Sequence, residues 1–421
     1  MADSVPPQVK QSEASPWAVF AHFDFFLLWS SAAAITVSRQ IQLLTGTQWL
    51  YETTGSAAQL GLLGVVQFIQ MPMALYGGAL ADQVDRKKLM IITQLVNTLS
   101  LLMLTILAFS HNLMPWHIFA VSGISSLVNP LGGSARPAML PRVVSRNLLT
   151  HAVTMLNVTS QFATVVSPIL FWQFYEHLGV ATSFAISTGI SLLSVIMPFI
   201  IKASGKPDAT TRRNTWQSLK GGWVFVMRHQ LLPGIFFLDL GVTIVSFYRQ
   251  LFPVFADQLY GLGATGTGLL NTANAIGGIL GTLAVFYAGK FSKKGVMVLA
   301  ATMAYAVFLV AFGINRNFLL GLGIVGILGM TDAVTMTMRQ AVVQLTTPDQ
   351  FLGRASSILN FAAMSANSAG QVEVGMLSAT IGAGNTMLLG GVLSIIFTVI
   401  VWRFLPKIRQ YRYMPDQRPD M

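Results

Sequence analysis

The chain consists of long runs of apolar residues separated by short breaks that contain charged or turn-forming residues. A helix that crosses the hydrocarbon core of a bilayer needs about 20 mostly apolar residues. Runs of this length lie at residues 17–44, 57–80, 88–110, 114–135, 148–175, 178–201, 231–256, 264–288, 295–313, 317–338, 355–380 and 384–405. They are apolar on every side, whereas helices of a soluble protein carry a charged outer face. The pattern predicts an all-α integral membrane protein with twelve transmembrane helices.

The composition agrees with this prediction and the positions of the charges orient it. The chain is 53% hydrophobic and 10% charged, while a soluble domain carries roughly 25% charged residues. Its net charge of +11 comes from lysines and arginines that gather in alternate breaks, in the middle of the chain and in the tail; the opposite loops contain only Arg316. Such residues mark cytoplasmic loops. We therefore expect a bacterial inner-membrane protein with both termini in the cytoplasm, in contact with the lipid bilayer, and with no nucleic-acid partner.

The two halves of the chain repeat each other. The repeated positions are Arg136 with Arg339 and Asn157 with Asn360, each 203 residues apart, and Arg39-Gln40 with Arg249-Gln250, 210 residues apart. A duplication of this kind is typical of transporters whose substrate path lies between the two halves. The predicted division is a disordered cytoplasmic arm at 1–16, a six-helix half at 17–201, a cytoplasmic linker at 202–230, a second six-helix half at 231–405 and a cytoplasmic tail at 406–421.

The break between the second and third runs has a distinctive sequence. It reads Gly77-Gly78-Ala79-Leu80-Ala81-Asp82-Gln83-Val84-Asp85-Arg86-Lys87-Lys88. A glycine, a leucine and an aspartate followed by basic residues resemble the cytoplasmic-loop signature of the major facilitator superfamily, although Asp85 replaces the usual glycine and Gln83 a common arginine. The resemblance implies the major facilitator fold, two pseudo-symmetric six-helix bundles, with a cytoplasmic gate. The residues that we expect in this gate are Gly78, Asp82, Arg86, Lys87, Arg136, Arg339 and Arg354.

Within this superfamily the chain resembles the enterobactin-exporter-like branch, which includes siderophore exporters and drug efflux pumps. The likeness is carried by Ser134 to Ala138, Leu140-Pro141-Arg142, Thr347 to Arg354, and Arg249 with Pro253, Ala256 and Asp257. The fourth run lacks the mid-membrane arginine of proton-driven drug antiporters, and the fifth has only Ser167-Pro168 in place of their glycine-rich proline motif. The resemblance implies secondary active transport by alternating access, with export of a small organic anion such as a siderophore as the leading hypothesis and protons as the expected coupling ion.

Two other functions remain open from the sequence. Efflux of drug-like or other amphipathic compounds is the alternative within the same class. A membrane scaffold or sensor that does not transport is the alternative of another class, although charged residues inside the predicted spans of both halves argue against it.

Arginines inside the predicted spans are the first candidates for binding a substrate. Arg39-Gln40 and Arg249-Gln250 lie at equivalent depth in the first span of each half. An ionisable residue within a span costs roughly 2.5–3.5 kcal/mol and is functional by default, so we expect these four residues to bind an anionic, oxygen-rich solute. The other interpretation is that Arg39 or Arg249 pairs with Glu373 and only fixes helix packing.

Carboxylates inside the spans are the candidates for proton coupling. Asp239 and Glu373 are the leading pair, since removal from water favours the protonated form of a carboxylate. Asp332 lies nearer the inner face and is equally compatible with a gate or with helix packing, while Asp24 is equally compatible with a solvated helix start.

Several other chemistries are excluded or disfavoured. The chain has no cysteine, which removes disulfides and thiolate metal sites. His22 and Asp24 are two residues apart and would point to different faces of a helix, so we expect no metal site. No phosphate-binding glycine loop with a following lysine occurs and no nucleophile–base set is visible, so we expect that the protein is not an enzyme and carries no cofactor. We also expect it to be a monomer that binds a small-molecule substrate.

The orientation can be tested because the natural chain has no cysteine to interfere with labelling. A single cysteine introduced in the linker at 202–230 is expected to be protected from a membrane-impermeant maleimide in intact cells and labelled after permeabilisation. A cysteine beside Arg316 should show the opposite behaviour. Labelling of the linker position in intact cells would reverse the orientation.

Overall fold

The computed structural model describes residues 15–81, 83–206, 223–229, 231–288 and 293–411. Asp82, much of the predicted arm and linker and most of the tail lie outside the described residues, as do the surroundings of Gly78 and the side chain of Arg354. The described chain is helical almost throughout, and nine of its helical segments are long and apolar enough to cross a membrane. The helical membrane fold expected from the apolar runs is confirmed.

The helices fall into two sets on either side of the linker. The first set is α1 Phe23–Thr54, α2 Ala57–Gln67, α3 Gln70–Ala81, α4 Arg86–Phe109, α5 Pro115–Val143 and α6 Leu149–Ile200, preceded by a 3-10 helix at Pro16–Ala21. The second set is α7 Leu232–Val245, α8 Gly263–Ala288, α9 Lys294–Ile314, α10 Phe318–Thr346, α11 Asp349–Ile381, α12 Ala383–Phe404 and α13 Pro406–Gln410. Short turns of different helical type fill Tyr248–Leu259 after α7.

The 52-residue helix α6 is two membrane spans joined at Gly179. The indole N–H of Trp29 donates to Thr159 over 2.7 Å, and the hydroxyl of Ser31 donates to the carbonyl of Ser194 over 2.9 Å. Residues 29 and 31 are neighbours on α1, so Thr159 and Ser194 lie at the same level and α6 folds back between them. The turn is at Gly179, where φ is 80° and ψ is 172°, a conformation that residues with a Cβ avoid.

Each half is a separate bundle. In the first half α1 packs along both arms of α6, and α4 packs against α5 and α6. In the second half α8 packs along α10, α9 along α12, and α7 along α11. The first and fourth membrane spans of each half, α1 with α5 and α7 with α10, contribute polar side chains to the cavities in the middle of the bundle.

The two ends of the bundle differ. We call the end at which α1 begins the linker end, because the Asp24 carboxylate there accepts hydrogen bonds from the backbone N–H groups of Lys202 and Ala203, at 3.1 and 2.8 Å. The opposite end, where α1 finishes at Thr54, is the far end. Asp24 thereby fixes the chain that leaves α6.

The halves meet mainly towards the far end, through α2 against α11 and α6 against α8. The contact is close because glycines line it: a Cβ placed on Gly64 would come within 2.6 Å of the Ser368 carbonyl oxygen. Hydrogen bonds cross it as well, with the Gln48 side chain accepting from the Thr267 hydroxyl at 2.7 Å. Towards the linker end the described helices make few contacts between halves. Among the described residues, the structure is therefore closed at the far end and leaves a cleft between the halves at the linker end.

A larger residue at Gly64 should prevent the far end from closing. Overpacking a close contact costs about 1–3 kcal/mol, so Gly64→Leu is expected to shift the protein towards a state that is open at the far end. Spin labels on cysteines at Ser110 and Asn385, both exposed near the far end, would report longer distances in this variant. Gly189→Leu, where a Cβ meets no atom within 4 Å, is the matched control; an unchanged distance distribution in Gly64→Leu would contradict the prediction.

Candidate functional site

Two polar cavities lie in the middle of the bundle, one in each half. The N-half cavity, of about 400 Å³, is lined by Arg39 and Gln40 of α1, Gln94 and Asn97 of α4, Asn129 and Arg136 of α5, and Ser160 and Thr164 of α6. The C-half cavity is lined by Asp239, Ser246 and Arg249 of the α7 region, Tyr305 of α9, Asp332, Thr335, Met336 and Arg339 of α10, and Asn367 of α11. The N-half cavity falls in the size range of small-molecule sites, about 300–1,000 Å³.

The N-half cavity combines two arginines with amide side chains. Arg39 is exposed to the cavity although it lies in the middle of α1, and the Nε of Arg136 is buried without a hydrogen-bond partner. The Asn97 amide donates to the Asn129 side-chain oxygen over 3.0 Å. Among the described lining residues there is no carboxylate. The cavity is therefore rich in hydrogen-bond donors and carries uncompensated positive charge.

The N-half cavity continues towards the far end in a second lobe. This lobe also contains Arg39 and Asn129, and adds Gln42 and Gln67 beside apolar residues such as Leu63. Arg39 thus stands between the two lobes. A solute with both polar and apolar parts could contact Arg39 from either one.

The C-half cavity contains the same number of arginines but balances them with acids. Arg339 forms an ion pair with Asp239, and the side chains of both are mostly buried. Asp332 lines the same cavity as Arg249 and brings a negative charge to it. The guanidinium of Arg249 also lies over the Phe247 ring, 5.4 Å from its centroid. The sequence left open a pairing of Arg249 with Glu373, and the structure instead places Asp332 in the cavity of Arg249.

Arg249 sits in a break of the first helix of the second half. The helix α7 stops at Val245, and a 3-10 turn at Tyr248–Leu251 follows. Pro253 has no N–H to donate to the carbonyl four residues earlier, whereas the equivalent residue of the continuous helix α1 is Leu43. At the break, the Ser246 carbonyl accepts from the Tyr248 N–H over 2.7 Å and from the Tyr305 hydroxyl over 2.9 Å. Broken helices of this kind occur at transporter binding sites.

The repeated glutamines have different surroundings. Gln40 lines the N-half cavity beside Arg39. Gln250 crosses to the other half, where its amide donates to the Leu60 carbonyl of α2 over 2.5 Å. The predicted pocket formed jointly by Arg39 and Arg249 also divides, since the two arginines line different cavities. In each half, two repeated arginines line the same cavity: Arg39 and Arg136 in the N-half, and Arg249 and Arg339 in the C-half.

The candidate coupling acids fall in three environments. Asp239 and Asp332 line the C-half cavity. Glu373 lines neither cavity; it is half-buried on α11, and its Oε2 has no hydrogen-bond partner among the described residues. Asp24 holds the chain at the linker end, as described above, and lies away from both cavities.

The candidate gate residues also separate. Arg86 donates to the Ala138 carbonyl over 3.2 Å and Lys87 to the Ile201 carbonyl over 2.6 Å, so these bonds join helices of the same half. Asp85, where the family has a glycine, caps α4 by accepting from the N–H groups of Lys87 and Lys88 at 3.0 and 3.2 Å. Arg136 and Arg339 line the cavities, which the sequence did not predict for either residue.

Sequence reasoning missed the amides of the N-half cavity. Gln94 and Asn97 are three residues apart on α4, so they share a face of that helix. Two amides on one face of an apolar helix are a signal of a polar lining, and Asn129 on α5 lies opposite them. Neutral amides cost less in a membrane than charges do, so their position within a span is a weaker sign of function.

Comparisons with known proteins agree with this architecture. The family model described as Major Facilitator Superfamily matches residues 18–371. The enterobactin exporter EntS of Shigella boydii serotype 4 (strain Sb227) is 24% identical over 387 residues, which cover 91% of this chain and 90% of the exporter. Among solved structures, a POT family transporter in complex with a thioalcohol-conjugated peptide gives a TM-score of 0.73 at 11% identity, covering 92% of this chain and 96% of the other. A bacterial homologue of the human lysosomal transporter Spinster, in an inward-facing and unoccupied conformation, gives 0.68 at 12% identity, with coverage of 96% and 100%.

The ion pair in the C-half cavity should contribute to stability through charge balance. Removing one partner of a buried pair costs about 3–5 kcal/mol because the other charge is left alone. Asp239→Asn is therefore expected to lower the thermal unfolding temperature of the purified protein by several degrees. The double variant Asp239→Asn/Arg339→Gln should recover most of the loss, since it removes both charges; a loss equal to the sum of the two single variants would contradict the prediction.

Proposed function

Because the chain belongs to the major facilitator superfamily, we propose that it exports a small organic anion by alternating access of its two halves, with protons as the coupling ion. It is a membrane transporter rather than an enzyme, and its likeness to the enterobactin-exporter branch is confirmed. The observation that carries the proposed substrate class is the charge of the two cavities. Their described lining residues include four arginines and two aspartates, an excess of positive charge in a region where charge is costly.

The proposed orientation places the linker end in the cytoplasm. The described residues at that end include Arg86, Lys87, Arg142, Lys202 and Lys407, and basic residues mark the cytoplasmic side. With both termini on this side, in the inner membrane of a bacterium, the cleft opens inwards. The protein is then in the state that receives a solute from the cytoplasm.

The reverse, outward-open state would bring the linker ends of the halves together. In the proposed cycle this closure uses the loop that contains Asp82, together with Arg86, Lys87 and Arg354, as the cytoplasmic gate. Arg136 on α5 and Arg339 on α10 lie in the fourth membrane span of each half, close to where this closure would occur, and serve both the cavities and the gate in this scheme.

A siderophore is the leading candidate for the substrate. The name of the relatives supports it, and so does the donor-rich N-half cavity, because a guanidinium offers a planar fork that suits carboxylates or catecholates. Efflux of an amphipathic drug-like compound is the second candidate. The second lobe of the N-half cavity favours it, since that lobe is lined beside Arg39 by apolar Leu43, Leu63, Leu104 and Ile118.

Proton coupling is assigned to Asp239 and Glu373, with Asp332 as a third acid of the same set. Protonation of Asp239 would remove its ion pair with Arg339 and change the charge of the C-half cavity. Glu373 carries a carboxylate oxygen without a partner, and such a group is costly to leave ionised in a membrane. Asp24 is not assigned to this set because its carboxylate is occupied by backbone N–H groups at the linker end.

Flux in proteoliposomes tests both the substrate class and the coupling. Liposomes that contain the purified protein are loaded with enterobactin, and a gradient that is acidic outside is imposed. We expect the gradient to accelerate efflux by the wild type, while Asp239→Asn and Glu373→Gln retain downhill efflux but lose the acceleration, because an amide cannot titrate.

Two controls make this experiment decisive. Asp24→Asn makes the same chemical change outside the cavities and should keep the response to the gradient. Parallel efflux of ethidium, an aromatic cation, tests the second substrate candidate. Efflux of ethidium without enterobactin would overturn the anion proposal, and an intact gradient response in both amide variants would place the coupling elsewhere.

A further inference from the structure

The two halves repeat their arginines but not their acids. Resting on the proposed function, we propose that the N-half cavity alone is the subsite for the anionic group of the substrate, held between Arg39, Arg136 and the amide of Asn129. The C-half cavity, in this assignment, is not an anion site. The ligand class is an oxygen-rich anionic group such as a carboxylate, sulfonate, phosphate or catecholate.

The comparison of equivalent positions carries the first step. Asp332 lies 203 residues after Asn129, and Asp239 lies 210 residues after Trp29, which are the spacings that relate the two arginine pairs. The N-half thus has a neutral residue at each position where the C-half has a carboxylate. The Trp29 indole is already engaged by Thr159. Both halves contain the arginines, but only the C-half contains carboxylates that balance their charge.

The second step is that the N-half arginines remain without a protein anion. Among the described residues, neither Arg39 nor Arg136 has an ion-pair partner, whereas Arg339 has one in Asp239. The buried Nε of Arg136 donates to no described atom. A guanidinium kept in a bundle without a negative partner is costly, and a bound anion removes that cost.

The third step concerns the neutral donors. The Asn97 amide is used within the protein, since it donates to the Thr93 carbonyl and to the Asn129 oxygen, both at 3.0 Å. No described atom accepts a hydrogen bond from the Asn129 amide nitrogen. This nitrogen is therefore available in the cavity. Two guanidinium groups and one amide then converge on a single space of about 400 Å³, which is the donor set expected for an anion with several oxygens.

The test measures the electrostatic potential in each cavity and does not depend on knowing the substrate. The chain has no cysteine, so one introduced cysteine reports on one position. Gly133 and Met336 are equivalent positions, 203 residues apart, that line the N-half and C-half cavities. A Cβ on Gly133 meets no atom within 4 Å, so Gly133→Cys introduces no clash, and Met336→Cys is its matched control.

The full-length protein in liposomes is treated with a negatively charged sulfonate thiol reagent and with its positively charged ammonium counterpart. A positive cleft raises the local concentration of anions by about tenfold or more, so the ratio of the two rates at Gly133→Cys should favour the anionic reagent by at least about tenfold over the ratio at Met336→Cys. Adding Arg39→Gln or Arg136→Gln should remove most of this preference. Adding Asn129→Asp, which copies the acid of the C-half, should remove it as well.

Binding is read from protection. Citrate, used as a polycarboxylate probe, should slow the anionic reagent at Gly133→Cys and not at Met336→Cys, and should lose this effect in the Arg136→Gln background. Ser160→Cys, on α6 of the same cavity, repeats the measurement if Gly133→Cys is poorly expressed. Equal reagent preferences in the two cavities, or a preference that survives both arginine substitutions, would overturn the inference.

The outcome separates this inference from the proposed function. An anionic preference with citrate protection in a protein that exports no anion would keep the subsite and reject the export of anions. Export of enterobactin by a protein without the preference at Gly133→Cys and Ser160→Cys would keep the proposed function and reject the subsite.

Discussion

A charge in the middle of a bilayer needs either a partner or a hydrated cavity, and this constraint organises the centre of the protein. Insertion of one charged side chain costs about 2.5–3.5 kcal/mol at the centre of a helix. The C-half meets the cost inside the protein, with Asp239 on Arg339 and Asp332 near Arg249. The N-half meets it by exposing Arg39 to a polar cavity. The same fold thus contains two solutions to one problem, and only the second leaves positive charge available to a ligand.

The arrangement of the halves follows from where their surfaces fit closely. Glycines along α2 allow the backbone of α11 to approach at the far end, and without a hydrophobic driving force in lipid, such close packing is what holds helices together. Where Gly61 meets Gly375, backbone touches backbone and no side chain is present that could adapt to a second geometry. In the proposed alternating access the halves would therefore separate as units, and the far-end interface would hold the path closed at that end only.

The sequence was sufficient to predict the fold but not to predict which side chains pair with each other inside it. Apolar runs, basic loops and the spacing of Arg39 and Arg249 depend on period and composition, which a single chain displays directly. The ion pair of Asp239 with Arg339 joins residues 100 positions apart, and its formation depends on how α7 and α10 are rotated, which hydropathy does not encode. The assignment of Gln250 to the substrate path failed to anticipate its bond to α2 for the same reason, since the break after α7 turns this residue away from its neighbour. Pro253 was a visible sign of that break.

In the break after α7, two adjacent residues make contacts with different parts of the protein. Arg249 faces the C-half cavity, and Gln250 holds the Leu60 carbonyl on the opposite half. Their Cα atoms are separated by one peptide unit, about 3.8 Å, within a single 3-10 turn. Because one peptide unit joins the two residues, a movement of the backbone at Arg249 would also move Gln250 and its contact with Leu60. The cavity of one half and the far-end contact with the other half are therefore joined through a single turn of backbone.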